Sequence, residues 1–387
     1  MKKKIAILGS TGSIGQTLLN IIKKDKKNFE VILLTANKNS KKLLKQAKEF
    51  KVKNLIINDE NEFNYLKKNT INTNINIFNN YNCFSKIFKK KIDYVMSSIV
   101  GLEGLSPTIS IIKYTKKIAI ANKESIICAW NIIDKELKKN RVEFIPVDSE
   151  HFSIWYAIKN IPIKKINKIY LTASGGPLLN IPKNKFDQLK ISKIIKHPTW
   201  TMGKKISVDS ATMMNKIFEI IEAKKIFSIK LNKIKILIHP KSYIHSIVEF
   251  NDGMIKIIAH DTTMKIPIFN SIYNMNHNKT LQKKIDVKKL NNLNLNKIDN
   301  KKFPIIRILN KVPENNSLFE TVIVSANDAL VNLFLKKEIK FTHISKILLK
   351  LLIKKEFTKF KRIIPKNINE IVKISDYVRS KINSKSI

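Results

Sequence analysis

Between residues 1 and 147, short apolar runs alternate with segments whose apolar residues recur every three or four positions. The runs Lys4–Leu8, Glu30–Thr35, Asn54–Ile57, Tyr94–Ser97, Lys117–Ala121 and Val142–Ile145 predict strands. Ile14–Lys24 and Lys41–Phe50 between them have helical spacing. Such alternation predicts an α/β fold with a doubly wound, Rossmann-like parallel sheet over residues 1–147. Asn69–Asn80 is asparagine-rich and reads as a loop. From Asp148 to about Tyr273 the pattern changes, and Gly, Pro, His and Trp gather in SGGP, HPTW and IHPKS. Loops of that texture are where sites are usually built, so residues 148–275 read as a second domain. A polar, Asn/Lys-rich stretch follows, with a linker over 276–302. Residues 303–387 return to helical spacing, clearest in Leu318–Leu335 and Ile344–Leu352, and read as a helical domain. No internal repeat is visible.

Composition narrows the function classes. Of the 387 residues 43% are apolar, enough for real cores. The formal net charge of +43 would suit a nucleic-acid partner, but almost all the cations are lysines. Arg141, Arg307, Arg362 and Arg379 are the arginines, and reading bases or phosphates bidentately favours Arg. The lysines are scattered and accompany abundant Asn and Ile, the residues that AT-rich codons encode. No specific nucleic-acid partner is expected, although such a field draws in small anions. Cys83 and Cys128 make neither a disulfide framework nor a zinc cluster and fit a reducing compartment. The first apolar run, Ile5–Leu8, is too short for a secretion signal, and no stretch approaches the roughly 18 apolar residues of a membrane span. The expectation is a cytoplasmic protein with no membrane partner.

Gly9-Ser-Thr-Gly12-Ser-Ile-Gly15 follows a strand and opens a helix, the context of a dinucleotide-binding turn. Gly9 would permit the tight turn, Gly12 a close approach to a pyrophosphate, and Gly15 close packing of helix on strand. The spacing is G-x-x-G-x-x-G rather than G-x-G-x-x-G, so an ordinary glycine-rich turn remains open. After the second strand stand Asn37, Lys38 and Asn39, with no carboxylate for a ribose 2′-hydroxyl. A Lys and two amides suit a 2′-phosphate and hence NADPH; a merely solvated Lys38 would look the same.

Asp148 and Glu150 sit two apart after the last strand of the first domain, and hard oxygens of this kind suit Mg²⁺ or Mn²⁺. A lone D-x-E is common in surface turns. In His197–Glu219, a helix is predicted over Ser210–Ala223 with Asp209 or Ser210 near its N-cap. Asn215 and Glu219 then share a face beside Lys216: one acid for a metal, with Asn, Lys and Ser for a phosphate. Ser174-Gly-Gly-Pro177 is a second candidate phosphate cradle, and Trp200 and Met202 flank Gly203 as a lid would. Each of these pieces alone is also compatible with plain core or turn.

Taken in order, LGSTGSIG (Leu8–Gly15), ANKES (Ala121–Ser125), DSEH (Asp148–His151), ASGGP (Ala173–Pro177), HPTWTMGKKISVDSATMMNK (His197–Lys216) and IHPKSYIHS (Ile238–Ser246) closely resemble the 1-deoxy-D-xylulose 5-phosphate reductoisomerases. The resemblance runs from residue 4 to about 270 and continues more weakly through Leu318–Ala329. It implies a dinucleotide domain, a central α+β catalytic domain that forms a homodimer contact, and a C-terminal helical bundle. It places Thr11, Gly12, Ser13, Ile14, Lys38, Asn39, Asn122, Glu124 and Gly203 on NADPH. Lys123, Ser149, Glu150, Ser174, His197, Ser210, Asn215, Lys216 and Glu219 would hold a small phosphorylated sugar. Asp148, Glu150 and Glu219 would hold Mg²⁺, Mn²⁺ or Co²⁺, and Lys123, His151 and His245 join the catalytic set. The implied reaction rearranges 1-deoxy-D-xylulose 5-phosphate to an aldehyde, which hydride from NADPH reduces to 2-C-methyl-D-erythritol 4-phosphate in the non-mevalonate isoprenoid pathway. Departures from the pattern are Asn37 for a frequent Gly, Thr199 and Thr201 in the lid, Ile217 and Phe218 before Glu219, and Asp328 for a usual Glu. The rival reading is an NADP-dependent dehydrogenase of another phosphorylated sugar, without isomerisation; it accounts for the glycine turn but not for the acids.

Overall fold

The computed structural model describes residues 1–273, 281, 286–291 and 293–384. It forms two compact units, residues 1–125, 132–148 and 264–281 in the first, and 126–131, 149–263 and 282–387 in the second.

The first unit is built on β1 (Lys3–Leu8), β2 (Phe29–Ala36), β3 (Asn54–Ile57), β4 (Asn76–Phe78), β5 (Tyr94–Ser97), β6 (Lys117–Ile120) and β7 (Glu143–Pro146). They form one sheet, order β4-β3-β2-β1-β5-β6-β7, parallel throughout. Ile5 to Leu8 are wholly buried, as expected of a central strand covered on both faces. The strand order reverses between β1 and β5, which puts the ends of those strands at a topological switch point. Six of the strands lie where the apolar runs predict them. β4 falls inside the predicted Asn69–Asn80 loop: it is three residues long, and only Ile75 and Ile77 mark its inward packing.

Helix α1 (Ser13–Lys23) buries Leu18, Leu19, Ile21 and Ile22 on the sheet. Helix α2 (Ser40–Phe50) is capped by Asn39, whose side chain accepts from the Lys42 amide at 3.1 Å. Helix α3 (Lys123–Asn140) is interrupted by a non-helical Ala129. Both cysteines are buried and neither is in a disulfide, and burial pushes the Cys83 thiol up to about 11.

The domain boundary expected at 275 lies earlier. Helix α7 (Lys265–Tyr273) belongs to the first unit, where Ile268, Ile272 and Tyr273 join the core around Ile5, Leu18 and Ile22. The Tyr273 hydroxyl donates to Asp25 at 2.6 Å, and the Tyr94 and Ser271 hydroxyls pair at 2.7 Å. These apolar side chains complete a core laid down more than 200 positions earlier, which no local pattern encodes.

The second unit has a mixed sheet of β8 (Ile166–Ala173), β9 (Ile234–Ile238), β10 (Ile244–Phe250), β11 (Ile255–Ala259) and β12 (Asn296–Lys297), order β11-β10-β8-β9-β12. β8 and β9 are parallel and the other pairs antiparallel. Around it lie α4 (Ser149–Ile158), α5 (Lys204–Thr212), α6 (Met214–Phe227), α8 (Leu318–Leu335), α9 (Phe341–Leu351) and α10 (Ile368–Asn383). The predicted linker contributes β12 as an edge strand; its residues 276–280, 282–285 and 292 lie outside the described residues.

Helix α8 opens with a capping box between Ser317 and Glu320. At 18 residues it is long and apolar enough to cross a membrane, contrary to the expectation that no segment would be, but 83% of it is buried inside the protein. Beneath its N-terminal turn Lys225 of α6 pairs with Glu320 at 2.9 Å, both side chains almost fully buried. The C-terminal helices thus share one compact unit with the central residues.

The single helix predicted over Ser210–Ala223 is two. Met213, with φ of +73°, separates α5 from α6, and Asp209 and Ser210 lie within α5 rather than at an N-cap.

Candidate active site

In the first unit the 9–15 turn follows β1. Gly9 has φ of +82°, and a Cβ there would stand 2.9 Å from the Ser98 carbonyl oxygen; at Gly15 one would stand 2.5 Å from Ser10 Cα. Both positions therefore require glycine. Ser10 is fixed to β2 through the Thr35 carbonyl (2.9 Å) and to α2 through Gln46 (2.8 Å). Gly12 is the N-cap of α1, no side chain caps that end, and Gly12 and Ser13 are exposed, with Thr11 and Ile14 part-buried beside them. An uncapped helix N-terminus offers N–H groups and a positive dipole end to a pyrophosphate.

Asn37, Lys38 and Asn39 are exposed at the end of β2. Asn37 is not among the residues with positive φ, so replacing Gly there carries no backbone strain. The carboxylate that the β2 end lacks stands nearby: Asp59 is 3.9 Å from the Lys38 ammonium. Asn122, expected on the cofactor, is buried, and its amide is committed to the fold. It donates to the carbonyls of Ile99 and Gly101 and accepts from the Ser125 amide at 2.7 Å as the cap of α3. Glu124 is buried in the first turn of the same helix. Gly203 belongs to the second unit, as the N-cap of α5.

Lys123 pairs with Asp148. Ser149 opens α4 and donates to Glu150. On α6, Asn215 donates to Glu219 at 2.5 Å, and the Lys216 ammonium lies 3.0 Å from Glu150 and also pairs with Glu219. Burial works against the Lys216 charge, but the Glu150 and Glu219 carboxylates outweigh it and hold the ammonium above the ordinary lysine range. With Asp148 only two residues before Glu150, one oxygen from each of Asp148, Glu150 and Glu219 lies within 4.8 Å of the others. Three hard oxygen donors in so small a volume fit a hard divalent cation.

The two histidines expected in the catalytic set are both buried. His151 is fully buried, and its Nε2 bonds the Glu219 carbonyl oxygen at 2.7 Å. It holds the main chain of one of the three acids. His245 is equally buried, stacked on His260 at 3.8 Å between ring centroids and edge-on to Trp200 at 6.2 Å.

His197 is the more informative imidazole. Its Nδ1 accepts from the Thr199 and Trp200 amides at 3.2 and 3.0 Å, which assigns the proton to Nε2. Nε2 then donates to Ser174 Oγ at 3.0 Å, and the same oxygen accepts from the Gly176 amide at 3.0 Å. The Ser174 hydroxyl proton is thereby directed to a further acceptor such as an anion. Gly176, at φ +67°, lies so close to α5 that a Cβ would stand 2.7 Å from the Ser210 carbonyl oxygen. The SGGP turn and Ser210 are thus packed together, and His197 ties Ser174 to the main chain of Trp200.

Burial pulls the His197 imidazole down from 6.5 to about 4. Its neutral form contributes stability in full above pH 6.5, and that contribution is lost as the pH falls toward 4. Protonated Nδ1 cannot accept the two lid amides. Trp200 emission, read in a Trp130→Phe/Trp155→Phe background, should therefore shift with a midpoint near pH 4, and His197→Phe should remove the shift. Emission that stays constant as the pH is taken through 4 and well below it would separate His197 from the lid.

The sequence profile for 1-deoxy-D-xylulose 5-phosphate reductoisomerase matches residues 5–130, its C-terminal domain matches 144–227, and the DXP reductoisomerase C-terminal domain matches 261–381. A 1-deoxy-D-xylulose 5-phosphate reductoisomerase of Pelagibacter ubique is 57% identical over 387 residues, covering 100% of both chains. Among solved structures, the enzyme of that name from Zymomonas mobilis in complex with NADPH aligns with a TM-score of 0.88 at 30% identity, covering 98% of both chains. A DOX-P reductoisomerase in complex with NADPH, fosmidomycin and magnesium aligns with a TM-score of 0.91 at 29% identity, covering 99% of this chain and 98% of that one.

Proposed function

This chain belongs to the 1-deoxy-D-xylulose 5-phosphate reductoisomerase family, and from that premise we propose how its own residues divide the work. It is an NADPH-dependent oxidoreductase that converts 1-deoxy-D-xylulose 5-phosphate to 2-C-methyl-D-erythritol 4-phosphate in the isoprenoid pathway. The observation that carries the assignment of roles is the closeness of Asp148, Glu150 and Glu219, with Lys216 between two of them.

Those three acids would hold a divalent ion, whose Lewis acidity would stabilise charge on the substrate's oxygens; magnesium is bound in some of the solved relatives, and Mn²⁺ and Co²⁺ suit the same donors. NADPH supplies the hydride. Lys123, beside Asp148, stabilises negative charge near the acids, and Ser149 orients Glu150. The Ser174 hydroxyl, freed by the His197 tautomer, donates to the 5-phosphate; Ser210, Asn215 and Lys216 complete that grip. Trp200 and Met202 exclude water over it, with His245 and His260 as the platform for Trp200. The N-terminal end of α1 takes the pyrophosphate, with Thr11, Gly12, Ser13 and Ile14 around it, and Lys38 takes the 2′-phosphate.

Lys38 is 76% exposed, so its contact with Asp59 is a weak one that a phosphate can replace. Lys38→Glu should raise the KM for NADPH about tenfold, the worth of one hydrogen bond to a charged group, while that for NADH barely moves. Equal changes in both constants would remove the 2′-phosphate role.

We further propose a cytoplasmic homodimer. Edge strand β11 supports the dimer: Ile255 and Ile257, with Met254 just before the strand, are 56%, 50% and 66% exposed, and the strand's outer edge has no partner among the described residues, a surface that invites a second strand. A monomer in light scattering at micromolar concentration would contradict it. The reaction itself is tested by incubating the protein with 1-deoxy-D-xylulose 5-phosphate, Mg²⁺ and NADPH. A branched carbon skeleton in the product is expected, whereas an unbranched reduced sugar phosphate would favour a plain dehydrogenase.

A further inference from the structure

Helix α5 carries Ser210, and the first two turns of that helix hold a cluster of charges that the roles above leave unused. Lys205 lies 3.3 Å from Asp209, one helical turn along, and 3.0 Å from Asp328 of α8. Its ammonium also stands 5.7 Å from the centre of the Phe218 ring, next to Glu219 in the chain. Asp209 is buried and takes a second bond, 2.7 Å, from Asn327, which is itself wholly buried on α8. Asp328, also buried, is paired on its far oxygen with Arg379 of α10 at 3.2 Å. Two buried acids, one from α5 and one from α8, are thus bridged by one lysine that follows the lid directly in the chain.

We propose that Lys205 is a positioning residue for phosphate binding: by bridging Asp209 and Asp328 it locks α5 onto the C-terminal helices and so fixes where Ser210 points. The geometry favours this over a surface ion pair of little worth. Lys205 is 30% exposed, but both of its acceptors are under 10% exposed and each has another partner, so the arrangement is ordered from both sides. Ser210 is the residue next to Asp209, and its carbonyl is already in close packing with Gly176. A rotation or slide of α5 would therefore pull Ser210 away from Ser174. Misplacement of about an ångström at a binding group carries a large kinetic cost.

The inference rests on the reading of Ser210 as a phosphate ligand, and the test separates the two. Steady-state constants are measured for Lys205→Met, Lys205→Arg, Asp328→Asn and Ser210→Ala, at a temperature where circular dichroism shows each variant folded. Lys205→Met and Asp328→Asn are expected to raise the KM for 1-deoxy-D-xylulose 5-phosphate about tenfold with kcat little changed, well within what a displaced contact costs. The inhibition constant of inorganic phosphate should rise in step, the KM for NADPH should not move, and Lys205→Arg should restore most of the loss. A raised KM in Ser210→Ala with none in Lys205→Met and Asp328→Asn overturns the inference alone. Parallel losses in kcat and in both KM values, with no rescue by Arg, would make the cluster merely structural and also overturn it. An unaltered KM in Ser210→Ala overturns the reading of Ser210, and the inference falls with it.

Discussion

Glu219→Gln is expected to lower kcat by about 100-fold or more at saturating Mg²⁺, beyond the loss usual for residues that only support a metal ligand. Glutamine keeps the shape of the side chain and an oxygen for the Asn215 contact, and removes the charge and one acceptor oxygen, the one that faces Lys216. Glu219 is 2% exposed, so water cannot make up for the missing carboxylate. Lys216 keeps Glu150 but loses its other acid, which weakens its hold on the site as well. The Mg²⁺ concentration for half-maximal activity should rise steeply. NADPH affinity, read from nicotinamide fluorescence, should stay near that of the parent, because the glycine turn and Lys38 belong to the other unit. Full activity of the variant at limiting Mg²⁺ would remove Glu219 from the metal site.

Lys225→Met is expected to cost about 3–5 kcal/mol of stability, the range for breaking one side of a buried ion pair. Glu320 is wholly buried, and its two oxygens serve different partners: one faces Lys225, the other accepts from the Ser317 amide at 3.0 Å in the capping box. Removing the lysine leaves a carboxylate that cannot reach water. It also frees Asn316, which the same ammonium bonds at 2.6 Å. Lys225→Met combined with Glu320→Gln should recover part of the loss, since the stranded charge is gone. Urea unfolding followed by circular dichroism measures both. A single-variant loss under about 1 kcal/mol would put the pair in the class of weak surface contacts.

These two sites differ in how far they could be read from the chain. The acid at 219 is legible: Asn215 and Glu219 are one turn apart, and the DSE segment ends a recognisable strand–helix domain. Six of the seven strands of the first unit, β4 being the exception, and helix Leu318–Leu335 are legible for the same reason, since period, apolar run length and the Ser317 cap are local signals. Lys225 and Lys205 are not, because nothing in a lysine-rich sequence distinguishes a cation that meets a buried acid a hundred positions away from one that meets solvent.

The break at Met213 is another case. Ser210–Ala223 has unbroken helical composition, and it divides in the fold where Gly176 presses against the Ser210 carbonyl. Nothing in the sequence signals the burial of His151 and His245, His151 against the Glu219 carbonyl and His245 against the His260 ring and carbonyl.

The seclusion of both thiols has a practical consequence. Cys83 and Cys128 are buried, and for Cys83 thiolate formation is pushed to about pH 11, so neither will compete for a maleimide at neutral pH. A cysteine introduced at the exposed Thr201 would then be the sole reactive handle on the native background. A dye or spin label attached there would ride on the segment between Trp200 and Met202, and its mobility would report ligand-dependent closure in real time without stripping the protein of its own cysteines.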